Sequence, residues 1–301
     1  MHRSKPLASL LAAMTICCAA AAPTVSLGAS ADPPAASARF SVRVTGKGPD
    51  VILVPGLASS GAVWDDTVRR LSGRYRLHVI QVSGFAGSPP GANAEGPILA
   101  PLVEALDAEI QRDHMNHPAV IGHSMGGLIG LMLAHSHPGD VGKLMVVDAM
   151  PFYAAVLRPD LTAATVEPIA TRTRDFIRTM PADAFAASET QTAARLAKSP
   201  SGRALVAAWG AASDQAVAAQ ATYDDLTTDA RPYLATIRIP VTVVYAWDAA
   251  MGPADRTDAL YASGYAALPG KHLVRVDDTF HFIPLDQPDA FARQVEDFLR
   301  Q

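Results

Sequence analysis

Two kinds of segment follow one another along this chain: short apolar runs and longer stretches with helical spacing. After an alternating segment at 40–45, the apolar runs lie at 51–54, 77–82, 119–121, 143–147, 241–246 and 272–276. Runs of this length are typical of strands buried on both faces of a parallel sheet. The segments with helical spacing lie at 64–71, 98–113, 128–134 and 289–299. Strands that alternate with helices predict an α/β fold with a mostly parallel, doubly wound sheet.

The alternation stops between residues 149 and 232, where no strand-like run appears and alanine dominates. Helical spacing is visible there at 175–180, 193–198 and 204–209. We interpret 149–232 as a helical cap inserted over the carboxyl edge of the sheet, because insertions after sheet strands often carry binding sites. Extra helices on the outside of the fold are the alternative. The core is then expected to comprise 32–148 and 233–301.

Residues 1–31 have the pattern of a secretion signal peptide. A short positive start precedes an uncharged apolar run at 7–22, and 29–31 form an A-x-A cleavage site. The apolar run is shorter than the ~20 residues that a spanning helix needs, so a membrane anchor is the weaker interpretation. Cys17 would suit a lipoprotein signal, but the bulky Ile16 precedes it. We expect export to the periplasm or the medium, without stable membrane insertion.

The composition argues against several kinds of site in the chain that remains after the predicted cleavage. Both cysteines lie in the leader, so no disulfide and no thiolate metal site is expected after cleavage. Removing Arg3 and Lys5 from the 25 basic residues leaves 23 against 29 acidic ones, a formal net charge of −6. Such a surface offers no electrostatic footprint for nucleic acid. Histidines 114, 117, 135 and 137 share no common face, and neither a metal nor a cofactor is expected.

A nucleophile is predicted at Ser124, within Gly122-His123-Ser124-Met125-Gly126. An apolar strand ends just before this G-x-S-x-G pattern and an apolar helix begins just after it. The strand must become a helix within about two residues, which strains the serine backbone and brings neighbouring chain segments close enough to require glycine. The serine hydroxyl would then lie at the carboxyl end of the sheet, so the pattern favours a nucleophile.

A serine hydroxyl needs a base to accept its proton and an acid to orient that base. His281 is the only histidine after His272 and follows the last predicted strand by a few residues, so it is the predicted base. A histidine that only packs between its two phenylalanine neighbours is the alternative.

The acid should lie between Ser124 and His281 in chain order, at the carboxyl end of a strand. Asp248 meets both conditions and is the preferred candidate. Asp148 meets them too, and Asp255 and Asp258 are weaker alternatives.

Two backbone N–H groups must stabilise the oxyanion of a tetrahedral intermediate. One is expected from Met125, directly after the nucleophile, and the other from Leu57, in the loop that follows Gly56.

These motifs make the chain resemble the α/β-hydrolase superfamily, in its branch with a helical cap. The resemblance is carried by residues 54–57, 84–88, 122–127, 234–241 and 281–282. It implies Ser124, His281 and Asp248 as nucleophile, base and acid, with Leu57 and Met125 as the oxyanion hole. The chain departs from the family pattern at Pro55, where members usually have histidine, and at Ala246-Trp247, where they usually have a glycine.

The leading hypothesis is a secreted serine hydrolase that cleaves a small-molecule carboxylic ester through an acyl-serine. Serine at the elbow argues against dehalogenase and epoxide hydrolase chemistry, because the members with those activities have aspartate there. An aminopeptidase or another amide or lactone hydrolase is the nearest alternative, with Glu167, Asp175, Asp183 and Glu189 available to hold an ammonium group. A hydrolase-like protein that binds a ligand without turnover is the alternative from another class.

Overall fold

The structure, a computed structural model, describes residues 39–158 and 160–301. The predicted signal peptide at 1–31 and the start of the predicted core lie outside the described residues.

Seven strands form one sheet in the order β1-β3-β2-β4-β5-β6-β7. All neighbouring strands are parallel except β1 and β3, which pair antiparallel. The strands are β1 (Phe40–Thr45), β2 (Asp50–Val54), β3 (Arg76–Val82), β4 (Ala119–His123), β5 (Lys143–Val147), β6 (Val241–Trp247) and β7 (His272–Asp277). The predicted mostly parallel sheet is confirmed, and the apolar runs located its strands to within two residues.

Helices connect the strands and cover both faces of the sheet. Those of the core are α1 (Asp65–Leu71), α2 (Leu99–Arg112), α3 (Met125–Ser136), α9 (Ala254–Gly264), α10 (Ile283–Asp286) and α11 (Pro288–Arg300). Successive residues of β2 show the two layers: Ile52 packs in one buried cluster with α2 and α3, and Leu53 packs in another with α1 and α11. Side chains that alternate between two apolar layers are expected of a strand buried on both faces.

The chain between β5 and β6 is helical, as its composition predicts. It contains α4 (Ala154–Leu157), α5 (Ala163–Thr179), α6 (Ala182–Leu196), α7 (Pro200–Ala211) and α8 (Gln215–Thr227). The three helical pieces expected from the sequence overlap α5, α6 and α7, and the first two extend one and two residues past the helix ends. α8 was not expected, because alanine, threonine and glutamine at its positions weaken the apolar periodicity. We refer to α4–α8 as the cap helices.

Within the described ranges, none of the helices combines the length and the apolar character needed to cross a membrane.

Candidate active site

Ser124 occupies the turn between β4 and α3, and its backbone is strained. Its φ is +54° and its ψ is −124°, a combination that non-glycine residues rarely adopt. The turn is held by hydrogen bonds: the Ser124 N–H donates to Val147 O (2.9 Å), and its carbonyl accepts from the N–H of Gly127 (2.7 Å). These contacts fix the serine between the end of a buried strand and the start of a buried helix.

The glycines around Ser124 permit this turn by close backbone approach. A Cβ added at Gly122 would collide with the backbone of Gly126, and one added at Gly126 would collide with the carbonyl of Val54. A Cβ at Gly56 would lie 3.1 Å from the Cβ of Ser124. The loop after β2 therefore packs directly on the turn, as the glycine pattern indicates.

His281 lies in the loop between β7 and α10, and its partner is Asp148. The distance from His281 Nδ1 to Asp148 Oδ2 is 2.7 Å. The second carboxylate oxygen, Asp148 Oδ1, accepts from the N–H of Ala246 (2.8 Å) and from the hydroxyl of Tyr261 (2.9 Å). Three donors thus fix the Asp148 carboxylate, and its bond to Nδ1 leaves Nε2 as the other ring nitrogen of His281.

Asp248, the preferred acid from the sequence, does not contact His281, so that prediction is wrong. Its Oδ2 accepts from Lys198 Nζ (2.6 Å), and its Oδ1 accepts from the N–H of Ala250 (2.8 Å). The hydrogen bond from Lys198 is the main reason that the pKa of Asp248 is lowered. Asp148 is the carboxylate that contacts His281, and its φ of +47° marks a turn directly after β5.

The weaker alternatives for the acid also lie elsewhere. Asp258 accepts from the hydroxyl of Tyr245 and pairs with Arg275. Asp255 is an exposed residue in the first turn of α9.

His123, beside the serine, supports His281. Its Nε2 donates to the carbonyl oxygen of His281 (3.0 Å), and the centroids of the two rings lie 4.6 Å apart. Burial, with a smaller contribution from the nearby His281, lowers the pKa of His123 to about 3. His123 is therefore a neutral imidazole, and its hydrogen bond helps to hold the loop that carries His281.

Asp286 ties the His281 loop to the cap helices. Its carboxylate accepts from the N–H groups of Lys198 (2.8 Å) and Ser199 (2.9 Å), which link α6 to α7, and from that of Phe280 (3.1 Å). In addition, the N–H of Phe282 donates to the carbonyl of Leu196 at the end of α6 (3.1 Å). One carboxylate thus joins the residue before His281 to the cap.

We expect Asp286→Ala to destabilise the fold by about 2 kcal/mol, because several partly buried donors lose a charged acceptor. Asp289→Ala is the matched control: Asp289 is exposed and forms a surface ion pair with Arg70, so its loss should cost less than about 1 kcal/mol. Urea unfolding of the two variants measures the difference. Equal loss of stability in both would contradict this role of Asp286.

A cavity of about 1450 Å³ connects these residues. Ser124, Asp148 and His281 line it together with Leu57 and Met125, the two predicted oxyanion donors. Met125 is the first residue of α3, where backbone N–H groups have no acceptor within the helix. The structure therefore brings every predicted site residue except Asp248 to one cavity.

The cap helices supply much of the remaining lining. Their contributions include Ile169 and Thr173 of α5, Thr192 and Arg195 of α6, and Thr222, Asp225 and Leu226 of α8. None of the four carboxylates considered for an ammonium group lines this cavity. Asp225 does, although sequence analysis missed it because nothing in its local pattern separates it from the adjacent Asp224.

A group of possible metal ligands lies away from this cavity. Asp107, His137 and Asp140 have ligand atoms within 4.8 Å of one another. His137 Nδ1 lies 3.4 Å from Asp107 Oδ2, and its Nε2 lies 3.3 Å from a carboxylate oxygen of Glu104. These carboxylate contacts give both ring nitrogens of His137 a partner. The absence of a metal stays a prediction.

Comparisons with known proteins agree with the fold. Over 117 residues, the chain is 38% identical to the pimeloyl-[acyl-carrier protein] methyl ester esterase of Aeromonas hydrophila, covering 38% of this chain and 43% of that protein. The chain thus matches less than half the length of this curated relative.

Solved structures match over most of the chain. The enol-lactonase from Burkholderia xenovorans LB400 has a TM-score of 0.71 at 20% identity, covering 87% of this chain and 96% of that one. A thermophilic esterase from Thermogutta terrifontis has a TM-score of 0.72 at 18% identity, covering 87% and 93%. At such identities the likeness shows the fold alone. The family described as alpha/beta hydrolase fold matches residues 49–288, and the chain belongs to this family.

Proposed function

We propose that this protein is a serine hydrolase that cleaves carboxylic esters through an acyl-enzyme on Ser124. The observation that carries the proposal is the cavity shared by Ser124 and the hydrogen-bonded pair of His281 and Asp148. A strained serine at a strand-to-helix turn, a histidine whose Nε2 makes no hydrogen bond within the described ranges and a fixed carboxylate are the components of a Ser-His-Asp triad.

Each residue has a distinct role in the proposed reaction. Ser124 Oγ attacks the ester carbonyl carbon as its proton passes to Nε2 of His281, and the N–H groups of Leu57 and Met125 stabilise the oxyanion. The imidazolium then gives its proton to the departing alcohol. Water, deprotonated by the same nitrogen, releases the acid and restores the serine. Asp148 holds the imidazole tautomer and stabilises the imidazolium.

One observation favours an ester over an amide. The relative from Aeromonas hydrophila, a pimeloyl-[acyl-carrier protein] methyl ester esterase, is named as an ester hydrolase. The four carboxylates suggested for an aminopeptidase do not line the cavity, although the cap carboxylate Asp225 does.

A fluorophosphonate tests the proposal, because such reagents phosphonylate a serine activated in this way. We expect one adduct on Ser124 of the wild-type chain and none on Ser124→Ala, with loss of hydrolysis of a short aryl ester in that variant. Mass spectrometry of the labelled peptides measures the adduct. No adduct in wild type, or an equal adduct in Ser124→Ala, would refute the acyl-enzyme mechanism.

A further inference from the structure

Asp225 differs from its neighbour Asp224 on α8 in its hydrogen bonding. Asp224 accepts from the N–H groups of Ile98 (2.5 Å) and Leu99 (3.2 Å) and from the side chain of Gln220 (2.8 Å). The Asp225 carboxyl makes no hydrogen bond within residues 39–158 and 160–301, yet it is half-buried and lines the cavity with Ser124 and His281. A carboxyl group that lines a cavity without such a bond can take a hydrogen-bond partner from a molecule bound there.

The surroundings of Asp225 make both of its protonation states available. Burial raises its pKa to about 7, His281 opposes this effect, and Asp224 adds to it. Near neutral pH the group therefore exists partly as an acid, which donates a hydrogen bond, and partly as a carboxylate, which accepts one.

Asp148 and Asp225 are the two carboxyl groups among the described residues that line the cavity. Asp148 is occupied by His281, Ala246 and Tyr261. Arg195 and Arg256, which also line the cavity, have exposed side chains. Asp225 is thus a half-buried carboxyl without a hydrogen bond in the described ranges, in a cavity lined by both apolar and polar side chains.

The chemistry of a hydroxyl group matches this position. A hydroxyl can donate to the carboxylate and accept from the acid, whereas an ammonium pairs only with the carboxylate and a ketone only with the acid. A wholly apolar substrate would displace water from Asp225 and leave it unpaired. Sites that hydrogen-bond a substrate hydroxyl can reject analogues lacking it by up to about 10⁴-fold.

We propose that Asp225 is a specificity-determining residue that binds a free hydroxyl group on the ester substrate. The inference rests on the proposed ester hydrolase activity and adds a substrate class to it: hydroxyl-bearing esters, in which the hydroxyl pairs with Asp225 while Ser124 attacks the carbonyl.

Three matched pairs of esters test the proposal: methyl β-hydroxybutyrate with methyl butyrate, methyl ω-hydroxyhexanoate with methyl hexanoate, and ethylene glycol monobutyrate with propyl butyrate. For at least one pair, we expect wild type to show kcat/KM about 10-fold or more higher for the hydroxy ester. Asp225→Leu should abolish or reverse that ratio, and Asp225→Asn should retain part of it. Asp175 is an exposed cap carboxylate that does not line the cavity, so Asp175→Asn should leave the ratio of the two kcat/KM values unchanged.

Folding of the variants is measured separately, by thermal unfolding. Both Asp225 variants should unfold at or above the wild-type temperature, because no hydrogen bond within the described chain is lost. The proposal would be overturned if the kcat/KM values of the two esters in every pair lay within about threefold of each other in wild type. A preference for the hydroxy ester that persists in Asp225→Leu would also overturn it.

A binding experiment separates this inference from the catalytic mechanism. Calorimetry with the Ser124→Ala variant measures affinity for each ester without turnover, and the double variant with Asp225→Leu serves as its control. Tighter binding of a hydroxy ester that disappears in the double variant supports hydroxyl recognition even if no fluorophosphonate adduct forms. Equal affinities within every pair, in a protein that does form the adduct, refute hydroxyl recognition and leave the acyl-enzyme mechanism intact.

Discussion

Replacing Asp148 by asparagine is expected to lower kcat about 10⁴-fold, with a much smaller effect on substrate binding. The introduced side-chain amide would present either its N–H₂ or its carbonyl to His281 Nδ1, and it could not stabilise the imidazolium that forms when Ser124 attacks. Ester hydrolysis at saturating substrate measures the loss. The packing around the site should survive, since the amide has the shape of the carboxylate.

Asp248→Asn is the matched control for this prediction. Asp248 also follows a parallel strand of the sheet, but its carboxylate pairs with Lys198 and caps the turn at Ala250. We expect kcat within about tenfold of wild type, because the Asp248 carboxylate binds Lys198 and Ala250 and does not line the cavity that holds Ser124 and His281. The reverse pattern, a large loss in Asp248→Asn and a small one in Asp148→Asn, would refute the assignment of Asp148.

Gly126→Ala is expected to destabilise the protein by about 3 kcal/mol, the upper end of the usual range for an overpacked site. The added Cβ would collide with the carbonyl of Val54 and approach that of Pro55 to 2.7 Å. The loop bearing Leu57 would have to move away, and a displacement of about 1 Å in an active site can cost 10²-fold in rate. Thermal unfolding and ester hydrolysis together measure both effects.

Gly139→Ala serves as the control, because a Cβ at Gly139 meets no atom within 4 Å. This variant should keep wild-type stability and activity to within small changes. Retention of full activity by Gly126→Ala would show that the loop is not braced by contact with the turn.

The sequence predicted the sheet well because the apolar pattern of a buried strand lies within the strand itself. Buried strands on both faces of a sheet require continuous apolar runs, and those runs gave β2 to β7 to within two residues. The turn at Ser124 was equally clear, since only glycine fits at Gly122 and Gly126. His281 was identified by its place after the last strand.

The choice of acid could not be made from the sequence, because Asp148 and Asp248 both follow parallel strands that are neighbours in the sheet. Two non-local features separate them. Lys198, fifty residues away in the cap, neutralises Asp248, and Tyr261 of α9 donates to Asp148. Asp225 was missed for a similar reason, since only the position of α8 in space distinguishes it from Asp224.

The shared carboxylate of Asp286 has a consequence for how the protein loses activity. Because the same side chain anchors the α6–α7 connection and the backbone of Phe280, a disturbance that lifts the cap must release the anchor next to His281. Heat or denaturant that frees the cap would therefore displace His281, the proposed base, while the seven strands are still folded.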